Sequence, residues 1–417
     1  MSKTWIVATL ACAIALTACE GRTRIASVTT PAGGSPAPPA AAATPTSAPV
    51  PIPDKPASFS EFAPTIAKYL TANPAAAGDN CLADVVAAWK LPLLTAANAC
   101  IAANTDEDPE SEVVAVLTTK LTTPTVSTDT QFEIVVFDPA PGGFKVAYES
   151  DPSDVVPPGT TLPIAPLLAA GDLNKDGGGE LAYVTSSCGA STCFATVHIF
   201  KGTASGYVAL TPPGGITMPY AEAKFEDTDG DGTKELLLTG GTQGSVGAGP
   251  QRARTEIWAW NGLAYALRTT RLDKATFLYH AVKDADTLFA AGKYAEAEAA
   301  YAAVVGDTSL KVWLEEKQER NELESYSLFR AGLAHLLAGG DTAKANGYFD
   351  RAKSYHPQTL HDQIAGSFKA GYNAKGSVGI GCAAVRDDIA ANLAEYQAFW
   401  DFGYGNPPFD ADAICPF

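Results

Sequence analysis

The sequence is short of positive charge: 29 Lys and Arg stand against 46 Asp and Glu in 417 residues, a formal net charge of -17. Binding to a phosphate backbone draws on basic side chains that displace counterions, so this balance excludes nucleic acid as a partner. Charged residues of both signs make up only 18% and hydrophobic ones 46%, which excludes a disordered chain and supplies apolar material for two or three cores. Long apolar runs are also lacking, since the one near the start, Trp5 to Leu16, is too short for an ordinary spanning helix. Histidine is scarce. The five, His198, His280, His335, His356 and His361, are scattered, and no Cys-x-x-Cys, His-Glu-x-x-His, Gly-x-Ser-x-Gly or dinucleotide fingerprint occurs. Zinc, serine-hydrolase and nicotinamide chemistry therefore have no sequence support.

The chain opens with Lys3, an apolar stretch and the ending Leu16-Thr17-Ala18-Cys19, the layout of a signal peptide over residues 1–18. The ending resembles a bacterial lipobox. That resemblance implies that Cys19 is acylated and becomes the mature N-terminus, and two or more acyl chains anchor stably in a bilayer. Glu20 rather than Asp follows, so the outer membrane is favoured over retention at the inner one. From Pro31 to Ser58 nine Pro and eight Ala fall in 28 residues. Such chain is a semi-rigid spacer of about 3.1 Å per residue, so the folded part is expected to begin near Phe59.

Six cysteines remain beyond the export segment: Cys81, Cys100, Cys188, Cys193, Cys382 and Cys415. An even count in an exported chain suggests disulfides. Fifteen pairings are possible, and the local one, 81 with 100, 188 with 193 and 382 with 415, is the suggestive choice.

Between Ser58 and Leu272 there are 12 basic and 24 acidic residues, and half of the acids fall in three nine-residue windows: 104–112, 172–180 and 227–235. Each carries oxygen side chains at positions one, three, five and nine. In the second these are Asp172, Asn174, Asp176 and Glu180, and in the third Asp227, Asp229, Asp231 and Glu235. Calcium takes six to eight oxygens, and alternate ligands in a tight loop converge on one point where a Gly permits the turn; Gly177 and Gly232 stand there. Gly178 and Thr233 complete the expected ligand sets. An EF-hand needs an acid at position twelve, where Tyr183 and Leu238 sit inside strand-like runs.

The second and third windows resemble the calcium loops of FG-GAP and VCBS-type β-propeller repeats, which lead straight into a strand. The surroundings repeat as well: Glu133-Ile-Val-Val-Phe-Asp138, Val197-His-Ile-Phe-Lys-Gly202 and Glu256-Ile-Trp-Ala-Trp-Asn-Gly262 each follow an acidic loop and its strand. The resemblance implies structural Ca2+ and a β-propeller-like array. Only three repeats are recognisable, against about four to eight blades in closed propellers, so closure stays open. The first window has Asn104 at its start and Pro109 in place of Gly. The Gly-rich stretch from Gly240 to Gly249 reads as a mobile hairpin tip, lacking the Lys-Ser/Thr ending of a phosphate loop.

Past Arg271 the apolar period changes from 2 to 3.6. The run Asp286 to Val304, with Gly292, Tyr294, Ala297 and Tyr301, resembles a tetratricopeptide repeat, and a second match runs from Gly340 to Ala352. Leu310 to Leu337 is expected as one long helix and Val385 to Phe402 as a cap. The resemblance implies a groove for protein partners.

The expected fold is thus multidomain α+β: signal peptide 1–18, lipidated Cys19 and linker 19–58, FG-GAP/VCBS-like β-repeat domain 59–272 with N-terminal helices, and a TPR-like helical domain 273–417. The expected function is a lipid-anchored, calcium-stabilised binding or scaffold module of the bacterial cell envelope. It engages protein partners through the helices or the β-repeat loops. The alternative is an enzyme or accessory subunit acting on cell-wall or exported polysaccharide, for which converging Asp, Glu or Tyr groups in a pocket would speak.

Overall fold

The computed structural model describes residues 50–78, 81–92, 100–123, 126–151, 155–156 and 166–417. The expected signal peptide, Cys19 and the expected linker up to residue 49 lie outside the described residues. Residues 50–58 are drawn onto the fold instead of standing free of it. The buried indole of Trp89 needs an acceptor and donates to the Pro53 carbonyl at 2.8 Å, while Val50 packs on the same core.

Helix α1 (Phe62–Ala72) buries Phe62, Ala63, Ile66, Ala67 and Leu70, the 3.6-residue spacing of an amphipathic face. Together with α2 (Ala83–Trp89) it covers the first of three antiparallel sheets. That sheet runs β1 (Cys100–Ala103), β2 (Glu112–Thr123), β3 (Val126–Ala140) and β4 (Gly143–Glu149), with β5 (Val155–Val156) beside β3. The second contains β6 (Leu167–Gly171), β7 (Glu180–Cys188) and β8 (Cys193–Thr203). Its fourth place is shared: β9 (Gly206–Ala209) pairs with Phe200–Thr203, and β10 (Ile216–Pro219) with Phe194–Val197. The third is a plain meander of β11 (Glu222–Glu226), β12 (Glu235–Gly240), β13 (Arg254–Trp260) and β14 (Tyr265–Leu272).

Alternation along the strands decides how the sheets pack. Ile134 and Val136 of the first sheet meet Leu181 and Tyr183 of the second, and Val197 and Ile199 of the second share a core with Leu236, Leu238 and Tyr265 of the third. Each sheet thus stands against the next in chain order, and in each the acidic window is the hairpin between its first two strands.

The rest is helical: α3 (Leu278–Ala290), α4 (Tyr294–Val304), α5 (Glu316–Leu337), α6 (Thr342–Tyr355), α7 (Leu360–Lys375), α8 (Val378–Ala391) and α9 (Leu393–Phe399). Helices α3–α4, α5–α6 and α7–α8 are three hairpins turned at Gly292, Gly339 and Gly376, all with positive φ. The third hairpin escaped the sequence reading. Asn392 interrupts the expected cap helix, and α5 starts only at Glu316, the chain before it bridging Phe277 at Lys311 and donating the Trp313 and Leu314 amides to Glu319. Phe329, Phe349 and Phe368 meet across the hairpins in tilted and edge-on contacts, each worth about 1.5–3 kcal/mol of burial. All described residues belong to one compact unit, Pro49–Phe417. Among them no helix is long and apolar enough to cross a membrane.

All three disulfides follow the local pairing. Cys81–Cys100 ties the α2 segment to β1, Cys188–Cys193 closes the β7–β8 hairpin, and Cys382–Cys415 fastens the C-terminal segment to α8. The Gly-rich stretch is docked rather than free: the Tyr404 and Gly405 amides donate to the Gly247 and Ala248 carbonyls, and a Cβ at Gly249 would lie 1.5 Å from the Phe402 carbonyl oxygen. Glycine is there because two backbones meet.

Candidate functional site

The three acidic loops share a local architecture that explains their residue pattern. Side-chain oxygens at positions three and five each accept an amide two residues on, a chain of Asx turns: Asp106 from Asp108 at 2.9 Å and Asp108 from Glu110 at 3.0 Å, Asn174 from Asp176 at 2.9 Å and Asp176 from Gly178 at 3.0 Å, Asp229 from Asp231 at 3.4 Å and Asp231 from Thr233 at 2.7 Å. The glutamate at position nine opens the following strand, is buried, and reaches back to the amide of position two. Glu112 accepts from Thr105 at 2.5 Å, Glu180 from Leu173 at 2.8 Å and Glu235 from Thr228 at 2.8 Å. Position one holds the turn closed, Asp172 accepting from Gly177 at 3.3 Å and Asp227 from Gly232 at 2.8 Å. Gly177 and Gly232 have φ of 88° and 86°, a conformation that L side chains rarely adopt.

The loops are also tied to one another. Amides of Gly179 and Gly202 donate to the Asp106 and Thr105 carbonyls, and the Lys234 amide donates to the Leu173 carbonyl. The acids therefore lie along one side of the sheet array.

Their electrostatics differ. In the third loop Asp227, Asp229 and Glu235 offer oxygens all within 4.8 Å of one another, and Arg268 donates to Asp229 at 2.7 Å and Glu235 at 3.2 Å. In the first loop Asp106, Asp108 and Glu112 converge equally closely. Glu112 is fully buried, one of its oxygens has no hydrogen-bond partner, and burial raises its pKa, with Asp106 and Asp108 adding to the rise. These three acids converge although Asn104 stands at position one and Pro109 replaces Gly at position six. The second loop brings no acidic trio together: Asn174 donates to Glu180 at 3.1 Å, and Lys201 holds Asp176 at 2.9 Å, which keeps that carboxyl below its usual range even against desolvation. Burial pushes Glu180 up to about 7.

These donors are hard oxygens in a tight loop, the set calcium prefers, and one Glu112 oxygen is a buried acceptor without a hydrogen-bond partner. The residues fit a calcium ion at the first and third loops. A basic side chain already pairs with the acids at two of the loops, Lys201 with Asp176 in the second and Arg268 with Asp229 and Glu235 in the third, and the second, which brings no acidic trio together, fits less fully.

A second site lies among the helices. A cavity of about 490 Å³ is bounded by α3, α5 and the segment from Trp400 to Pro416. On its wall Asp286 accepts the Tyr301 and Tyr326 hydroxyls at 2.5 and 2.8 Å and Lys283 at 3.2 Å. Burial raises both tyrosines far above their ordinary range, so they stay protonated donors. Sequence reading placed Asp286 and Tyr301 in the helical hairpin but missed that they meet, because Tyr326 arrives from a helix 40 residues on.

Three of the five histidines pair with glutamates of the helical part: His335 meets Glu298, His356 meets Glu324 and His361 meets Glu322, at 2.9, 2.7 and 2.7 Å. No family model matches the chain, and no curated protein and no solved structure matches it.

Proposed function

We propose that the chain is a lipid-anchored module of the bacterial cell envelope in which calcium-held, propeller-like β repeats of the FG-GAP/VCBS kind carry a TPR-like helical domain for protein partners. The observation that carries the reading is the threefold recurrence of one unit: a first hairpin whose acidic loop ends in a buried glutamate bonded back to the second loop amide. Calcium would be held by Asp227, Asp229, Asp231, Thr233 and Glu235 in the third loop, by Asp172, Asn174, Asp176, Gly178 and Glu180 in the second, and by Asp106, Asp108 and Glu112 in the first. The ion's role is structural, relieving repulsion between crowded carboxylates. Three helical hairpins in series supply the repeat number that a solenoid needs, which supports the partner-binding role.

The enzyme reading finds one favourable observation, the meeting of Asp286, Tyr301 and Tyr326 at a cavity. All three, however, are engaged with one another as an anchor and its donors, which suits recognition better than bond breaking. Two experiments test the proposal. Calcium titration by calorimetry should give saturable binding that Asp229→Asn weakens at least tenfold; heat indistinguishable from buffer refutes the metal. Cys19→Ser should shift the protein from membrane to soluble fractions, and continued sedimentation with membranes counts against the anchor.

A further inference from the structure

We propose that the cavity bounded by α3, α5 and the C-terminal segment binds a small organic anion with a flat apolar body. Two cations converge there on a single carboxylate: Lys283 lies 3.2 Å from Asp286, and the guanidinium of Arg330 lies 3.8 Å from it. Arg330 is almost wholly buried. Its Nε donates to the Tyr301 hydroxyl, its Nη1 donates to the Ala413 and Ile414 carbonyls, and its plane sits 3.6 Å from the Phe289 ring centre. Among the described residues Nη2 has only the long pairing with Asp286. Asp410 also lines the cavity, so its charges stand two against two, and what an anion would gain is the donor capacity of Nη2 beside Lys283.

The cavity opens beside a cleft of about 790 Å³ between α3 and the third sheet, which shares Lys283 and adds Arg252 and Arg254. Arg252 is paired with Asp284 and Arg254 with Glu256, both at 2.7 Å, so Lys283 and Arg330 are the cations that would face an added anion. The walls select the body. Lys283 Nζ stands 4.8 Å above the Trp400 ring, and Phe409 and Pro407 close the other side. A volume of about 490 Å³ lies in the range of small-molecule sites.

This assignment does not rest on calcium, since none of the groups belongs to an acidic loop. The test uses the full chain carrying Cys19→Ser, so that no detergent is present. Its probes are 8-anilinonaphthalene-1-sulfonate and the neutral N-phenyl-1-naphthylamine, which lacks the sulfonate. The sulfonate probe should bind saturably at one site, at least fivefold more tightly than the neutral one. Lys283→Gln should remove that difference, and Ala290→Trp at the exposed rim should abolish saturable binding of both, with melting temperatures within a few degrees of the parent. Equal affinity for the two probes, no saturation, or unchanged binding in both folded variants overturns the assignment.

Discussion

At the scale of the residue, the informative groups are buried acids with incomplete partners. Glu133 of β3 is buried, and one of its oxygens has no partner. Desolvation, with Glu149 adding to it, pushes it up to about 7 from a reference of 4.5. A carboxyl raised on folding stabilises fully below pH 4.5, and that contribution is lost as pH rises through 7. Glu133→Gln should therefore match the parent at pH 4 and exceed it by about 3 kcal/mol at pH 8, read from urea melts at the two pH values. Arg268 gives a second expectation. It bonds the same Asp229 and Glu235 oxygens that a calcium ion would use, so Arg268→Gln should tighten calcium binding several-fold, and weaker binding would show that the guanidinium supports the site instead. Sequence spacing named the acids, because alternate oxygens in nine residues are a local pattern. It could not show that Lys201 and Arg268, which arrive from other strands, pair with them.

At the scale of the element, chain reversal and close approach set the design. Gly249 has φ of 83° and meets the Phe402 carbonyl. Gly249→Ala should cost about 2–4 kcal/mol, visible as a lowered melting temperature, whereas Gly230→Ala, with open space around its Cβ position, pays only the positive-φ strain and should cost less. The disulfides separate by loop length. Cys382–Cys415 spans 33 residues and Cys188–Cys193 only 5, so chain entropy assigns about 4 and about 2 kcal/mol. Replacing each pair with alanines should destabilise in that order under denaturant. The three hairpins with acidic loops and the first two helical turns were legible because turn residues and periodicity are local signals. The third helical hairpin was not, since its Gly376 turn sits in an Ala- and Gly-rich stretch of weak amphipathic contrast. The docking of the Gly-rich stretch was invisible for another reason: glycine marks both a free loop and a crowded one.

At the scale of the whole molecule, the change in apolar period near residue 272 marks a change of structure, antiparallel sheets before it and helices after. What the sequence did not reveal is how closely the two halves engage. The C-terminal segment lies against the Gly-rich stretch of the third sheet and, through Arg330, against α5, and these are contacts between residues far apart in the chain. The negative charge also resolves at this scale. Residues 58–272 carry 12 - 24 = -12 and residues 273–417 carry 13 - 20 = -7, and half of the acids in the first part lie in loops that stand along one side. If calcium holds those loops, the sheets lose cohesion when it is removed, and the effect should reach the helices docked on them. The most direct measurement is the melting temperature of the purified chain, followed by circular dichroism, in millimolar calcium and then in excess chelator. A fall of 5 °C or more, restored by calcium and absent in a chain carrying Asp106→Asn, Asp176→Asn and Asp229→Asn together, is the predicted result. Superimposable melts in calcium and chelator contradict the account.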